Sequence, residues 1–240
     1  MLLTWFLVTD VFELVRPLVL PSPTDVVTEM GVLLEKGYTR KPLWVHIRAS
    51  LYRTFSGLLL GIVIGIPLGL VIGYYWYASA IFSPFLSAFR PIPPIAFIPL
   101  VILYFGIGEF SKIVLIFMAA LYYVTLNTTA GVKAVPKDLM RAGINLGLNQ
   151  RQLFVSVMLP ASMQFIMTGI KTATAISWAI LVAAELIAAQ EGLGYMVMDA
   201  ATFFRVTDVY IGIFMIGAIG LLLELITTTA ENRLLHWRGR

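Results

Sequence analysis

Five long stretches of this 240-residue chain contain no charged residue, and they limit its possible folds more than any other feature. The first of them alone exceeds the roughly 20 residues that a helix needs to cross a bilayer. Only 12% of the residues are charged, against about a quarter in soluble domains. We therefore predict an all-α integral membrane protein, with residues 1–240 forming a single transmembrane domain. The stretches are Thr54 to Phe89, Pro91 to Gly108, Ile113 to Val132, Gln152 to Ile170 and Val209 to Leu223.

The first fifty residues are less apolar than the rest. Asp10, Glu13 and Arg16 closely follow the first apolar run, so residues 1–20 are predicted to form only a partial first helix. A short helix on the membrane surface is the alternative. Residues 22–50 are predicted to be an amphipathic segment at the interface, opened by a helix cap. Five complete transmembrane helices are expected to follow.

Five glycines recur at every fourth position of the first apolar stretch. Such a ladder of small residues lets a second helix pack close to the backbone. Because four residues advance about 400° on a helix, the partner must wrap around the drifting strip. We predict a packing seam inside the bundle, with a contact between subunits as the alternative. The glycines are Gly57, Gly61, Gly65, Gly69 and Gly73.

Prolines interrupt the segment from Ile81 to Phe105, which no unbroken helix can accommodate. Broken backbone at membrane depth must be covered by protein or line a cavity. The segment is therefore predicted to face the bundle interior. Arg90, beside the break, is either a cation of the transport pathway or a cap on freed carbonyl groups.

Two charged residues interrupt the apolar run from Pro160 to Ala189, and charges inside a membrane usually mark a pathway. Lys171 and Glu185 lie about 21 Å apart along a helix, so they cannot pair with each other. For Glu185, a position at the membrane interface is the alternative. The candidate pathway or gate residues are Arg90, Pro91, Pro93, Pro94, Lys171, Trp178 and Glu185.

Asp138 to Pro160 is the longest polar interruption in the second half of the chain, and the loop of residues 133–160 that contains it is predicted to be a helical hairpin. Pro136 suits the first position of a helix that ends at Gly147. Asn149 and Gln152 then form the pattern of a capping box for a second helix, which runs to Pro160. The small residues Ala142 and Gly143 at the centre of the first helix would let another protein approach its backbone closely. The apolar stripe of the first helix comprises Leu139, Ala142, Gly143 and Leu146.

The spacing within this hairpin resembles the EAA signature of ATP-binding cassette (ABC) importer permeases. That signature is Glu-Ala-Ala, three residues, Gly, nine residues, Ile, one residue and Leu-Pro; Arg141 and Gly143 replace its Glu and second Ala. The resemblance implies a cytoplasmic loop that couples to an ATPase, with an ordinary cytoplasmic connection as the alternative. The implied coupling residues are Arg141, Ala142, Gly143, Leu146, Gly147, Val157, Leu159 and Pro160.

Further runs are similar to the nitrate, sulfonate and taurine importer family. The resemblance implies a type I importer in the bacterial inner membrane: a homodimer of six-helix permeases, two cytoplasmic ATPases and a periplasmic substrate-binding protein. Against that pattern, the N-terminal tail and half of helix one are expected to be missing, through a wrongly assigned start or a real shortening. The runs are Arg90 to Pro94, Phe105 to Gly108, Trp178, Val182 to Ala188 and Gly192 to Gly194.

The same resemblance implies a transport subunit rather than an enzyme. The chain has no G-x-x-x-x-G-K-[ST] sequence, so ATP and Mg²⁺ are expected on the partner ATPase, with no cofactor or metal site in this chain. The expected solute is taurine or a related sulfonate, with nitrate or another small solute as the alternative. Arg90 or Lys171 would attract such an anion.

Other classes fit the sequence less well. The absence of cysteine excludes disulfides and thiolate sites, and nothing indicates nucleic-acid binding. A secondary transporter remains the alternative outside the ABC class, although its inverted repeats are not evident. A channel would need a filter loop.

Basic residues divide almost evenly between the two sides of the membrane, with Arg233, Arg238 and Arg240 forming a basic tail, so charge does not decide the orientation. The hairpin is placed in the cytoplasm from the resemblance alone.

Overall fold

The computed structural model describes residues 2–12, 15–16 and 19–236. Three residues used in the predictions, Glu13, Arg238 and Arg240, lie outside this part. Within it, the regular structure consists of helices and one isolated antiparallel bridge, between Tyr38 and Lys41.

The N-terminal region forms two short helices before the first long one. Helix α1, Leu2–Phe6, passes into a π-helical turn, Leu7–Val11. Helix α2 spans Pro23–Lys36 and begins with the predicted capping box, in which Ser22 and Asp25 bond to each other's backbone N–H. The first of these elements is far too short to cross a bilayer alone.

Helix α3 spans Leu43–Tyr74 and is about 48 Å long at 1.5 Å per residue. Helix α3 already begins at Leu43, so the segment 22–50, predicted to be interfacial, includes the first two turns of this helix. The arginines that interrupt the hydropathy there are accommodated within the helix. Arg48 lies over the Trp44 ring, 5.6 Å from its centroid, and Arg53 is buried among polar partners.

The proline-rich segment forms a bent pair of helices. Helix α4, Trp76–Phe89, is followed by a 3₁₀ turn, Pro94–Phe97, and by α5, Ile98–Phe105, at an angle of 86°. This confirms the predicted break. The prediction that the segment faces the bundle interior is only partly right. One side packs on the bundle, but Phe85, Leu103 and most of the other side are exposed at its edge, because no second helix of the described chain covers them.

Helix α6, Glu109–Lys133, lies at the centre of the bundle, between α3 and the helix that spans Leu159–Ala188. The glycine ladder of α3 lies directly against it. A Cβ built on four of these glycines would come within 2.4–2.7 Å of an atom of α6, too close unless the helices shift, and a Cβ on Gly65 would lie 3.1 Å from Val124, a tight contact. A step of four residues on α3 matches a step of four on α6, so the two helices run parallel. From Gly57 to Gly73, the glycines meet Ile116, Ala120, Val124, Thr128 and Val132 in turn.

The hairpin leads into one long helical rod. Helix α7 spans Lys137–Asn145; α8, Gln150–Leu153, then continues through a π-helical turn, Phe154–Met158, into α9, Leu159–Ala188. The prediction that the hairpin's second helix stops at Pro160 is therefore wrong. The wider π-helical turn just before the proline accommodates its missing N–H, so the rod continues.

Helices α10, Leu193–Thr202, and α11, Val206–Leu234, complete the described bundle. Among the described residues, four helical rods are long and apolar enough to span a membrane, and a fifth span results if the bent pair counts as one. We call the end of the bundle that carries α7 the hairpin end and the other the opposite end. The C-terminus of α3 and the N-terminus of α8 lie at the hairpin end, whereas α10 lies at the opposite end.

Candidate functional site

The hairpin is built by local hydrogen bonds at its turn. Asn149 accepts from the backbone N–H of Gln152, and the Gln152 side chain accepts from the N–H of Asn149, both at 2.9 Å. Gly147 has a φ of +81°, a backbone conformation that other residues rarely adopt. The turn between α7 and α8 is therefore fixed by its own sequence, as predicted.

Gly143 lies on the inner face of α7 rather than on its surface. A Cβ at this position would lie 2.6 Å from Cδ1 of Leu153 and 3.5 Å from Cγ2 of Val157. The absence of a side chain thus lets α7 pack on the base of the rod. The expectation that Gly143 lies open to another protein is wrong for this residue, although Ala142 is exposed.

Large aliphatic side chains of α7 are exposed on more than one side of the helix. Leu146 is 82% exposed, and Leu139 and Ile144 are about half exposed. The same short helix carries Lys137 and Asp138, residues typical of a surface in water. Exposed large aliphatic side chains on a polar hairpin are characteristic of a protein-docking surface.

The other predicted coupling residues lie around these side chains. Arg141 is exposed and pairs with Asp138 at 3.7 Å. Gly147 is exposed, and a Cβ added there would meet no described atom within 4 Å. Val157 lies beside Gly143, and Leu159 and Pro160 lie beyond the π-helical turn. Only part of the signature therefore reaches the surface.

Glu185 lies at the centre of a polar cluster at the opposite end. Its side chain is 0% exposed and forms an ion pair with Arg53 of α3, which is also buried. Ser50 donates a hydrogen bond to the same carboxylate at 2.9 Å. Glu185 lies one turn before the end of α9, as its alternative placement expects, but its carboxylate is enclosed by protein.

The loop after α9 wraps around this carboxylate. Gly194 donates its backbone N–H to Glu185 at 3.0 Å, and Leu193 donates to the Ser50 hydroxyl at 3.0 Å. Gly192 has a φ of +124°, and a Cβ there would lie 2.4 Å from the Glu185 carboxylate. The glycines of the Gly-Leu-Gly run are thus required by the close approach of the loop to the buried charge.

Arg53 also joins a third helix to the cluster. Its guanidinium donates to both carboxylate oxygens of Glu109, one of them at 2.6 Å, and to the backbone oxygen of Glu191 at 2.8 Å. Glu109 is 56% exposed, so the network reaches from the interior to the surface. A single guanidinium thereby ties α3, α6 and the α9–α10 loop together.

Outside the spans, Lys41 donates to Glu191 and closes the surface of the cluster. This hydrogen bond lowers the pKa of the Glu191 carboxyl below its usual value. Beside it, Tyr38 is buried and donates to Asp199 at 2.7 Å. Burial and this hydrogen bond raise the Tyr38 pKa well above its usual value, so the phenol stays neutral.

Lys171 lies in a second polar site, between α9 and α11. Its ammonium group forms an ion pair with Glu231 at 3.0 Å. Lys171 and Glu185 therefore have separate partners, in agreement with their predicted separation of about 21 Å along the helix. A groove of about 310 Å³ opens here, lined by Lys171, Trp178 and Glu224 among others. Trp178 donates its indole N–H to the backbone oxygen of Ile216 at 3.2 Å, which anchors α9 to α11.

Arg90 and the prolines lie apart from both polar clusters. Arg90 is exposed at the bend between α4 and the 3₁₀ turn and interacts with the Tyr122 side chain of α6. Pro91 and Pro93 occupy the bend, and Pro94 begins the 3₁₀ turn. Phe89, Pro94 and Tyr122 line a small cavity between the bend and α6. The structure thus separates the predicted pathway residues into three places.

Two central ion-pair partners are missing from the sequence predictions. Arg53 immediately precedes the first charge-free stretch and marks its boundary, whereas in the structure it is the cation of the buried cluster. Glu231 follows the last apolar stretch and is the partner of Lys171. One signal in the sequence could have indicated that Arg53 is buried. It directly precedes an apolar stretch whose glycine ladder predicts close helix packing.

Comparisons with known proteins place this architecture in a family. Residues 61–236 match the family described as the binding-protein-dependent transport system inner membrane component. The taurine transport system permease protein TauC of Escherichia coli (strain K12) is 38% identical over 240 residues, 100% of this chain and 87% of that protein. The putative aliphatic sulfonates transport permease protein SsuC of Bacillus subtilis is 35% identical, over 92% of this chain and 79% of that protein.

Two further comparisons agree with this. The nitrate import permease protein NrtB of Synechocystis sp. is 32% identical over 85% of this chain and 76% of that protein. A structure of the MetNI methionine ABC transporter in an inward-facing conformation superposes with a TM-score of 0.66 at 19% identity, over 80% of this chain and 97% of that one. The latter supports the fold alone, that of a type I importer permease. The chain therefore belongs to the binding-protein-dependent transport family, as a multi-pass inner-membrane permease of the nitrate, sulfonate and taurine group of ABC importers.

Proposed function

We propose that this chain forms the translocation pathway of an ATP-driven importer for a small organic anion, taurine or a related sulfonate. In this proposal two copies form the pathway and two ATPase subunits, which bind ATP and Mg²⁺, dock on the hairpins from the cytoplasm. A periplasmic binding protein delivers the solute at the opposite end.

The exposed aliphatic side chains of α7 are the observation that carries the proposal. Leu139, Ile144 and Leu146 project from a hairpin whose turn is fixed by its own capping box. A rigid element with exposed apolar side chains can transmit the movement of a docked partner without deforming. Burying these side chains against an ATPase would remove their unfavourable exposure to water.

The rod from Gln150 to Ala188 supports a mechanical link between the hairpin and the opposite end. It begins at the hairpin turn and ends at the Glu185 cluster. An ATPase that binds α7 differently in its ATP-bound and ATP-free states would shift the whole rod between outward and inward access. Such coupling requires only a difference in contact free energy between the two states.

The charges favour Arg90 over Lys171 as the group that attracts an anion. The ammonium group of Lys171 is already neutralised by Glu231, and Glu224 lines the same groove. Among the described residues, no carboxylate lies within ion-pair distance of Arg90. The 38% sequence identity to TauC, which extends over the whole chain, supports taurine as the solute. The 32% identity to NrtB leaves nitrate as the alternative.

The docking proposal is tested by Leu146→Asp with Ile107→Asp as its matched control. Ile107 is 73% exposed at the opposite end, so both changes place a carboxylate on an exposed aliphatic position. We expect Leu146→Asp to lose the co-purifying ATPase and ATP-dependent uptake into vesicles. Ile107→Asp should retain the ATPase. If Leu146→Asp keeps both properties, α7 is not the docking element, and uptake that needs no ATP would point to a secondary transporter.

The solute is tested separately, in vesicles that contain the assembled transporter and its binding protein. Uptake of labelled taurine is measured with an excess of an unlabelled alkanesulfonate or of nitrate. We expect the alkanesulfonate to compete and nitrate not to. Competition by nitrate alone would assign the chain to nitrate import while leaving the docking proposal intact.

A further inference from the structure

A groove of about 340 Å³ lies at the hairpin end, between the last turn of α3 and the first turns of α8 and the π-helical segment. It is separate from the exposed aliphatic side chains of α7 and from the polar groove of α9 and α11. Its walls change in character along the axis of α3. The lining residues are Leu70, Val71, Tyr74, Tyr75, Gln150, Arg151 and Phe154.

The inner part of the groove is apolar, and the outer part is polar. Leu70, Val71 and Phe154 form the part nearer the middle of the membrane. Toward the hairpin, the Tyr74 hydroxyl donates to the Gln150 side chain at 3.0 Å, which joins α3 to α8 across the groove. The Tyr74 ring also meets Phe154 edge-on, with centroids 5.8 Å apart. The groove therefore has a preformed floor with an apolar and a polar half.

Aromatic residues place this polarity change at the membrane surface. Tyr75, Trp76 and Tyr77 are exposed beside the groove, and such side chains favour the headgroup region. On the same helix, Tyr52 is exposed toward the opposite end. The distance along α3 from Tyr52 to Tyr74 is about 33 Å, close to the roughly 30 Å of a hydrocarbon core. The polar half thus lies at the level of the lipid headgroups.

The polar half carries an unneutralised positive charge. Arg151 is exposed, and among the described residues it forms neither an ion pair nor a side-chain hydrogen bond. Its neighbour in the hairpin, Arg141, is instead paired with Asp138. No acidic residue of the described chain lines the groove. A guanidinium group in this setting is suited to a phosphate, which it can bind through two parallel hydrogen bonds.

We propose that this groove binds an anionic phospholipid, with the phosphate on Arg151 and an acyl chain along Leu70, Val71 and Phe154. Basic pockets between transmembrane helices at the cytoplasmic surface are suited to such headgroups. The lipid would contact both α3 and α8 and so tie the base of the hairpin to the bilayer. Binding does not depend on the solute that the transporter carries.

The experiment compares Arg151→Gln with Arg233→Gln in the assembled transporter. Arg233 lies in the last turn of α11, at the same end of the bundle, so both variants lose the same charge there. The complexes are extracted from nanodiscs of phosphatidylglycerol and phosphatidylcholine, and the retained lipids are counted by native mass spectrometry. We expect Arg151→Gln to retain about tenfold less phosphatidylglycerol, as for the loss of a charge-assisted hydrogen bond, and Arg233→Gln to match the unchanged protein.

Two further arms complete the test. Arg151→Lys keeps the charge but loses the two-bond geometry, so intermediate retention is expected. Equal retention by Arg151→Gln and the unchanged protein would overturn the proposal, as would an equal loss in Arg233→Gln. Displacement of the lipid by millimolar inorganic phosphate, or its exclusion once the ATPase is bound, would also overturn it, because the groove would then serve a free ion or a protein.

Discussion

The two ends of the bundle differ in how they treat charge and apolar surface. At the opposite end, Arg53 and Glu185 are buried and paired, and the loop that follows α9 closes over them. At the hairpin end, Arg151 has no acidic partner among the described residues and Leu146 projects into water. The buried charges of Arg53 and Glu185 are thus neutralised within the chain at one end, whereas the arginine and the leucine at the other remain exposed.

This difference separates two kinds of stability. The opposite end is held together by the chain's own contacts, which join α3, α6 and the α9–α10 loop into one unit. The hairpin end is held by a local turn and gains its remaining contacts from outside. A substitution at the opposite end should therefore lower the stability of the fold. A substitution on the exposed surface of the hairpin should instead weaken the binding of a partner.

The largest effect is expected from Arg53→Met. The change leaves the Glu185 carboxylate buried without its cation, and breaking a buried pair in this way costs about 3–5 kcal/mol. Arg48→Met, five positions earlier on α3, removes an arginine that lies on Trp44 and should cost about 0.5 kcal/mol. Thermal unfolding of the purified protein in detergent measures both.

A double variant sharpens this test. Arg53→Met combined with Glu185→Met removes both charges, so it should recover part of the stability lost in the single variant. If Arg53→Met were as stable as Arg48→Met, the buried pair would contribute nothing, and the two ends would not differ in the way described.

A smaller effect is expected from Gly143→Leu at the hairpin end. The new side chain would collide with Leu153, and overpacking costs about 1–3 kcal/mol. The higher helix propensity of leucine relative to glycine offsets about 1 kcal/mol of this cost. Ala142→Leu, on the exposed side of α7, should leave stability almost unchanged. Limited proteolysis at the hairpin compares the two variants, and equal cleavage rates would mean that Gly143 does not face the rod.

The smallest effect is expected from Lys41→Ala, at the surface of the opposite end. Because Lys41 lowers the Glu191 pKa, the pair stabilises the protein above the ordinary carboxyl pKa, and this is lost as the pH falls through the lowered value. Both side chains are partly exposed, so the contribution at pH 7 is about 0.2–1 kcal/mol. The melting temperatures of Lys41→Ala and the unchanged protein should differ at pH 7 and converge near pH 3. A difference that persists in acid would exclude this ion pair as its cause.

Local patterns predicted the features whose partners lie close in sequence. The capping box at Asn149 joins residues three positions apart, and the proline-rich run breaks its helix by its own covalent geometry. The all-helical membrane fold likewise follows from the apolar stretches. In these cases the physical cause lies within the segment itself.

Features that depend on distant partners could not be obtained in this way. Arg53 and Glu185 are 132 positions apart, so neither charge indicates its partner. The apolar stripe of α7 contains both Ala142 and Gly143, and periodicity alone does not decide which one faces the rod. Pro160 stops a regular α-helix, but the preceding π-helical turn, which has no recognisable pattern here, lets the rod continue.

The parallel packing of α3 and α6 determines whether the chain crosses the membrane an odd or an even number of times. A chain that leaves α3 at the hairpin end and enters α6 at the opposite end must traverse the bilayer in between, whatever the shape of residues 75–108. The route from Leu43 to Leu234 therefore contains an odd number of passages. A tag placed immediately before α3 and a tag placed after α11 would consequently lie in different compartments.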